Sequence, residues 1–149
     1  MLICTGQRIS EVLRMRWDAI NDGIWIVGTV GSMKRKEVAH HLPMTDYMER
    51  VIAPMKDYGS VWVFPGRDSH MSLSGFVGYL KTVYPEVSPH IYRHSFASIC
   101  ADKNIDSYGV SLVLHHSVPG ISHQTYIKSQ HIERKRAVLE AMHELLSGK

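Results

Sequence analysis

Apolar residues recur at helical spacing through much of the second half of the chain. The longest such run extends from about His131 to Leu146, and shorter ones begin near Ser88 and Ser107. The apolar positions of the longest run are Ile132, Val138, Leu139, Met142, Leu145 and Leu146. A helix with one apolar face is stable in water only when that face is covered. We therefore expect several helices here, each with its apolar side buried.

Residues that start and end helices predict three more helices earlier in the chain. Serine and threonine cap the first turn, whereas proline and glycine end or kink a helix. These signals predict helices from Thr5 to about Trp17, from Thr45 to Pro54 or Gly59, and from Ser72 or Ser74 to about Tyr84. The first of them carries Ile9, Val12 and Leu13 on one face.

Two segments between the first and second helices have the composition of strands. Residues 24–29 and 37–42 are joined by Gly31, Ser32 and the basic triplet 34–36, which indicates a hairpin. Residues 61–64 are short and apolar, and fit either a strand or a packed loop. The predicted fold class is α+β, mostly helical with a small antiparallel sheet.

Length and composition limit the class of protein. A chain of 149 residues forms one domain with a substantial core. Its two cysteines, Cys4 and Cys100, have apolar neighbours, which argues against a disulfide framework and fits a reduced compartment. No apolar run approaches the roughly 18 residues of a membrane span, and the first residues lack a basic leader. We expect a cytoplasmic protein without a membrane partner.

Charge is informative by its distribution rather than its total. The net charge is only +3, but basic residues cluster at 34–36 and at 134–136. Each cluster taken alone fits a solvated face as well as a contact with phosphate groups. The charge pattern therefore permits a nucleic-acid partner without requiring one.

The helix that begins at Ser88 and Pro89 separates two kinds of side chain. Its apolar stripe is formed by Tyr92, Phe96 and Ile99, and its cationic side by His90, Arg93 and His94. An imidazole and a guanidinium three residues apart can reach the same phosphate. His90 and His94 also have a spacing that could bind zinc, but Ile91 stands where a zinc protease needs its glutamate. No metal site is predicted.

Arg8 lies in the first turn of its predicted helix, where the helix dipole favours an anion over a cation. A phosphate bound at this position would be contacted by the guanidinium. The alternative is an ordinary surface arginine that pairs with Glu11, three residues later. From this feature alone, both interpretations remain open.

Four short segments give a more specific indication when they are taken together. Thr-Gly-Gln-Arg-Ile-Ser-Glu-Val-Leu (5–13), Pro-His-Ile-Tyr-Arg-His-Ser-Phe-Ala-Ser (89–98), Leu-His-His-Ser (114–117) and Thr-Tyr-Ile-Lys (125–128) occur in this order. In order and spacing they resemble the active-site segments of tyrosine recombinases, the phage integrase family. One departure is His115, because the family usually has a small residue, most often glycine, at this place.

The resemblance implies a tyrosine-recombinase catalytic domain and a set of catalytic residues. These are Arg8, Lys34, His90, Arg93, His116 and Tyr126. Arg35 and Lys36 are adjacent alternatives to Lys34, because the register of the hairpin could shift by one or two residues. Tyr126 is chosen among seven tyrosines by its order and by its spacing of ten residues from His116.

The implied reaction is a transesterification of DNA that needs neither a metal nor a nucleotide cofactor. Tyr126 attacks phosphorus to form a 3′-phosphotyrosyl bond, while Lys34 protonates the departing 5′ oxygen. His90 accepts a proton from the phenol or stabilises the phosphate. The non-bridging oxygens are held by Arg8, Arg93 and His116.

The resemblance also implies the setting of this reaction. The partner is double-stranded DNA, bound by a homo-oligomer, expected to be a tetramer, of a phage or mobile-element integrase. Family members usually carry a further helical segment and a DNA-clamping domain before the first arginine, so residues 1–149 are expected to be a truncated catalytic domain. In this family the final helix often docks on a neighbouring subunit, and the same arrangement, or a mobile helix, is expected here.

Three alternatives remain open at this stage. The first is an inactive integrase remnant that only binds DNA, and the second is a type IB topoisomerase, which uses similar residues to relax supercoils. The third is a helical binding module without catalytic activity.

Overall fold

A computed structural model describes residues 1–28, 40–88, 90–116 and 131–148. Within these ranges the α-helices are α1 (Leu2–Thr5), α2 (Ile9–Leu13), α3 (Asp46–Ile52), α4 (Leu73–Val83), α5 (Ile91–Asp102), α6 (Ser107–Val113) and α7 (Ile132–Leu146). The strands are β1 (Ile20–Asn21), β2 (Ile24–Val27) and β3 (His40–Pro43), and two 3₁₀ helices span Trp17–Ala19 and Ala53–Tyr58. The predicted α+β class, mostly helical with a small antiparallel sheet, is confirmed.

The sheet is antiparallel with the strand order β1-β2-β3. Ile24 is paired with Pro43, and Val27 with His40. The tight turn between β1 and β2 uses Asp22 and Gly23, both with positive φ, as two-residue hairpins require. β1 was not predicted, because two residues are too short for a pattern to be seen. The predicted connection through residues 29–39 lies outside the described residues.

The predicted capping residues act as expected at two helices. The hydroxyl of Thr45 accepts a hydrogen bond from the Met48 N–H at the start of α3, and that of Ser72 accepts one from Gly75 at the start of α4. Gly59 ends the 3₁₀ helix after α3 with a φ of 61°. These boundaries depend on local interactions, which is why the sequence predicted them.

The first predicted helix is wrong in its boundaries. Gly6 has a φ of 62° and ends α1, so Thr5 is the last residue of one helix and not the cap of the next. Arg8 is the N-cap of α2, which is only five residues long. The left-handed conformation of Gly6 therefore turns the chain just before Arg8.

Two further predicted boundaries need correction. His90, rather than Ser88, is the N-cap of α5, and Pro89 lies outside the described residues. Asp106, rather than Ser107, caps α6 by accepting a hydrogen bond from the Tyr108 N–H. Of the two alternatives for residues 61–64, the structure shows the packed loop, in which the Val63 N–H donates to the carbonyl of Met15.

Helix α7 packs against β3, α6, α1 and α5 of the same chain. Its buried apolar residues include Val138, Leu139 and Met142, as predicted, but Leu145 is 37% exposed. Lys135 and His143 are buried on the same helix, although neither was predicted to be. The expectation that this helix docks on a neighbouring subunit is wrong, because its apolar face packs into the core of the same chain. None of the helices in the described ranges combines the length and apolar character that a membrane span requires.

Candidate active site

The guanidinium of Arg93 joins three separate parts of the chain. Its Nη1 donates a hydrogen bond to the carbonyl of Gly6 at 2.8 Å, and its Nη2 donates to the carbonyl of Leu114 at 2.6 Å. Arg93 lies on α5, Gly6 precedes α2, and Leu114 is the C-cap of α6. The side chain therefore fixes the relative positions of three of the four segments that resemble the family.

His116 lies beside this guanidinium. Its Nε2 is 2.9 Å from Nη2 of Arg93. Because arginine can only donate, Nε2 must accept, so the ring is neutral and carries its proton on Nδ1. Partial burial lowers the pKa of His116, and the charges of Arg93 and Arg8 lower it further. All three causes disfavour the charged imidazole in this surrounding.

Arg8 contributes a second guanidinium to the same region. The Glu11 carboxylate accepts a hydrogen bond from the Arg8 backbone N–H at 2.9 Å and another from its Nη1 at 3.2 Å. The ion pair with Glu11 considered from the sequence is therefore present. The Arg8 side chain is still 55% exposed, and its charge lowers the pKa of both Arg93 and His116.

The structure thus brings Arg93 and His116 into contact, and Arg8 lies two residues after Gly6, whose carbonyl accepts from Arg93. Burial is the largest cause that lowers the pKa of Arg93, followed by the charge of Arg8, while Glu11 raises it. Positive groups held in one place repel one another, and Glu11 offsets part of that repulsion. A bound anion would relieve the rest, as expected of a site for a phosphate group.

His90 is one helical turn before Arg93, and its side chain is exposed. Among the described residues, the His90 ring makes no hydrogen bond with Arg8, Arg93 or His116. His94 is exposed on the same helix. No group of three or more His, Cys, Asp or Glu residues in the described ranges is arranged to hold a metal ion.

Two of the six predicted catalytic residues cannot be placed. Lys34, with its alternatives Arg35 and Lys36, and Tyr126 lie outside the described residues. Strands β2 and β3 flank the predicted hairpin, and helices α6 and α7 flank the segment with Tyr126. The roles of Lys34 and Tyr126 stay predictions.

The backbone conformation at His115 is one that glycine adopts more easily than histidine. His115 has a φ of 54°, in the left-handed region that favours glycine. Its ring stacks on that of His40, with 4.5 Å between the centroids and an interplanar angle of 5°. This chain therefore has a histidine in a conformation that usually selects glycine, held there by a ring contact.

Sequence reasoning missed two polar residues that lie beneath the site. Gln7 and His40 are 2% and 3% exposed, and both are hydrogen-bonded to the carbonyl of Val113. Gly6 was named only within the segment 5–13, and its close packing was not predicted. A Cβ at this position would lie 2.7 Å from Leu114 Cδ2. No hydropathy pattern marked Gln7 as buried, because it lies between Gly6 and Arg8 and its partner is 106 residues away in sequence.

The fold is similar to those of solved recombinases. The crystal structure of XerA recombinase aligns with 94% of this chain and 54% of its own chain, with a TM-score of 0.60 and 16% identity. The XerH site-specific recombinase, solved bound to its palindromic difH substrate in a post-cleavage complex, aligns with 98% of this chain and 44% of its own. The TM-score for XerH is 0.57 and the identity 16%. At this level of identity, these similarities establish the fold alone.

Sequence comparison identifies the family. The tyrosine recombinase XerD of Rhizobium meliloti (strain 1021) is 26% identical, over 78% of this chain and 42% of its own length. The XerD of Bradyrhizobium diazoefficiens is 30% identical, over 78% of this chain and 43% of its own. The chain thus spans less than half the length of these relatives. The profile of the phage integrase family matches residues 1–133, and the chain therefore belongs to that family.

Proposed function

We propose that this chain is the catalytic domain of a phage or mobile-element integrase that cuts and rejoins double-stranded DNA without a metal. The observation that supports this proposal most directly is the convergence of Arg8, Arg93 and His116. Nη2 of Arg93 lies 2.9 Å from Nε2 of His116, and the charge of Arg8 lowers the pKa of both groups. These residues come from three of the sequence segments that resemble the family's active site.

The three groups are suited to a phosphoryl group that gains negative charge. Each guanidinium can donate to a phosphate oxygen, and His116 can do so once its Nε2 carries a proton. Donors placed before the reaction begins lower the barrier without reorganisation, and each such donor is worth about 3–4 kcal/mol in other enzymes. Arg8, Arg93 and His116 would therefore bind the non-bridging oxygens.

Three residues carry out the bond changes in this proposal. The phenol oxygen of Tyr126 attacks phosphorus and forms a 3′-phosphotyrosyl bond, while the bond from phosphorus to the 5′ oxygen breaks. Lys34, or Lys36 if the register of the hairpin is shifted, gives a proton to that oxygen, and His90 accepts the phenol proton. A 5′ hydroxyl of a second strand then reverses the steps. Because one phosphodiester is exchanged for another, the reaction needs no nucleotide cofactor.

Double-stranded DNA is the proposed substrate and partner. The XerH structure similar in fold contains a bound DNA substrate, and this chain has a net charge of +3 with basic clusters at 34–36 and 134–136. Exchange between two duplexes requires four strand cleavages, so we propose a homotetramer on DNA. Contacts with phosphates would make binding dependent on salt concentration.

The covalent intermediate provides the test. The chain is incubated with nicked suicide DNA, which loses its 5′ hydroxyl on cleavage and so cannot be religated, and adducts are separated under denaturing conditions. We expect an adduct with the wild-type chain and with Tyr92→Phe, and none with Tyr126→Phe. An adduct that persists in Tyr126→Phe would contradict the assignment of the nucleophile.

Other outcomes identify the alternatives. DNA binding without an adduct would indicate a remnant that only binds DNA. Relaxation of supercoils without strand exchange between duplexes would indicate a type IB topoisomerase, and absence of DNA binding would indicate a helical module with another partner. Each of these results would replace the proposed function.

A further inference from the structure

We propose that Gln7 and His40 are positioning residues, whose shared hydrogen bonds to the carbonyl of Val113 hold the end of α6 so that His116 meets Arg93. This inference deepens the proposed function, because it rests on the role given to His116 there. Its structural part can be tested without catalysis.

The carbonyl of Val113 accepts two side-chain hydrogen bonds. Gln7 Nε2 donates at 2.7 Å and His40 Nε2 lies at 3.0 Å. A carbonyl cannot donate, so the His40 ring carries its proton on Nε2. Val113 is the last residue of α6, where helix carbonyls have no partner within the helix. Among the described residues, these two side chains are the donors that satisfy this buried acceptor.

Both donors come from segments next to predicted catalytic residues. Gln7 immediately precedes Arg8, and its amide also donates to the carbonyl of Thr5 at 3.0 Å. His40 is the first residue of β3, directly after the hairpin segment that contains Lys34. The hydrogen bonds to Val113 thus connect the end of α6 to the first arginine segment and to the hairpin strand.

The next carbonyl along the chain extends this set of bonds to the active site. Leu114 accepts from Arg93 at 2.6 Å, and the same Arg93 nitrogen lies 2.9 Å from Nε2 of His116. His116 is only three residues beyond Val113. A shift of the helix end would therefore move His116 away from Arg93.

A histidine at position 40 would be less favourable than an apolar residue if its side chain only filled space in the core. His40 is 3% exposed, and its Nδ1 is buried with no hydrogen-bond partner among the described residues. An unpaired buried polar atom destabilises a fold, whereas an apolar side chain would avoid the loss. The hydrogen bond to Val113 and the stacking on His115 are the interactions gained in return.

The test uses NMR of the whole chain with labelled imidazole nitrogens. In the wild type, His116 should titrate below 6.5, because of its burial and the nearby arginines. In Gln7→Met and His40→Leu the ring should leave Arg93, so the pKa of His116 should rise toward 6.5. His40→Gln, whose amide can replace the Nε2–H donor, should restore the wild-type value.

Val63→Ala is the matched control. Val63 is fully buried, and its N–H donates to the carbonyl of Met15, so it takes no part in the hydrogen bonds to Val113. The Val63→Ala substitution should destabilise the chain without changing the titration of His116. If His40→Leu does not fold, His40→Asn serves, because its shorter amide cannot reach Val113.

A second measurement separates positioning from binding. On suicide DNA, Gln7→Met and His40→Leu should reduce the cleavage rate about 10-fold or more while the Kd for DNA stays within about twofold. Unchanged titration of His116 in both variants, or an equal change in Val63→Ala, would overturn the proposal. If the wild type forms no adduct, the proposed function fails while the NMR result still decides the positioning role.

Discussion

The Nη2 atom of Arg93 lies 2.9 Å from the Nε2 atom of His116, and this contact defines the protonation state of the imidazole. Because the arginine donates, His116 accepts through Nε2 and presents no Nε2–H to a phosphate oxygen. To act on a phosphoryl group, His116 must take up a proton or exchange its tautomer. The contact in this structure is therefore one that a bound phosphate would replace.

The first prediction is that inorganic phosphate raises the pKa of His116. Burial and the charges of Arg93 and Arg8 hold that pKa below 6.5, and a bound anion favours the protonated ring. NMR titration with and without phosphate measures the shift. In Arg8→Gln the pKa should start higher and phosphate should change it less, whereas Arg14→Gln, at an exposed arginine, should behave like wild type. A phosphate-independent pKa would show that the anion does not bind beside His116.

The second prediction is that Arg93→Lys impairs both cleavage and stability. A single ammonium cannot span the carbonyls of Gly6 and Leu114 and also contact His116. We expect adduct formation to slow about 100-fold or more, and the free energy of unfolding to fall by about 1–3 kcal/mol. Urea denaturation and suicide-substrate cleavage measure the two effects. Arg14→Lys is the matched surface control, and a similar result for the two variants would refute the structural role of Arg93.

The third prediction concerns the packing of Gly6. A Cβ at Gly6 would lie 2.7 Å from Leu114 Cδ2 and 2.9 Å from the Phe96 ring, and its φ is 62°. Gly6→Ala combines backbone strain with overpacking, so we expect a loss of about 2–4 kcal/mol in the free energy of unfolding.

Gly59→Ala separates the two causes. Gly59 has a φ of 61°, but a Cβ there would meet no atom within 4 Å. Only the strain of about 1 kcal/mol should be measured for this variant by urea denaturation. If Gly6→Ala costs no more than Gly59→Ala, the close contact with Leu114 and Phe96 is not a constraint.

The sequence predicted those parts of the fold that depend on local interactions. Thr45, Ser72 and Gly59 delimit helices through bonds to residues three or four positions away, and each lies where expected. Helical periodicity likewise located α5 and α7 to within a few residues. The resemblance of four segments identified the family before any geometry was known.

The sequence did not predict which polar side chains are buried. Arg93, Phe96 and Cys100 are three and four residues apart and share a face of α5, so the cationic and apolar sides do not separate as predicted. The guanidinium reaches the edge of the core because two carbonyls accept from it. Lys135 is buried on α7 for a similar reason, since its Nζ donates to the carbonyl of His41. Hydropathy patterns contain no information about such distant acceptors.

The fourth prediction is that acid destabilises the fold through His143. Its Nε2 donates to the carbonyl of Cys4 at 2.8 Å, and its Nδ1 lies 2.8 Å from the Thr45 hydroxyl. Burial is the main cause that lowers the pKa of His143. The unfolded chain therefore binds a proton at a higher pH than the folded one. The stability that neutral His143 contributes is present above about pH 6.5 and is lost as the pH falls through the lower pKa that this group has in the folded chain.

Urea denaturation as a function of pH measures this effect. Burial also holds the pKa of His40 well below 6.5, so protonation of His40 contributes to the same loss of stability at low pH. His143→Gln should reduce the slope of the free energy of unfolding below about pH 6.5, whereas His94→Gln, on an exposed face of α5, is the matched control. An equal reduction in both variants would exclude His143 as the source.

The last prediction is that α7 is required for folding in cis. Val138, Leu139 and Met142 are almost fully buried, and each contributes about 1.5–3 kcal/mol on burial. Together they approach the entire stability of a typical domain, about 5–15 kcal/mol. Deletion of residues 131–149 should therefore abolish cooperative thermal unfolding, measured by circular dichroism.

Two hydrogen bonds from α7 add to the dependence of the fold on this helix. Nη1 of Arg136 donates to the carbonyl of Met44 at 2.9 Å, and Nζ of Lys135 donates to that of His41 at 2.8 Å. These hydrogen bonds attach α7 to β3 and to the residue that follows it. A deletion limited to residues 147–149 is the control, because Ser147 and Gly148 are exposed, and it should shift the Tm only slightly. If the longer deletion retained a cooperative transition, the remaining fold would be independent of α7, and docking of this helix on a neighbouring subunit would again be the better explanation of its apolar face.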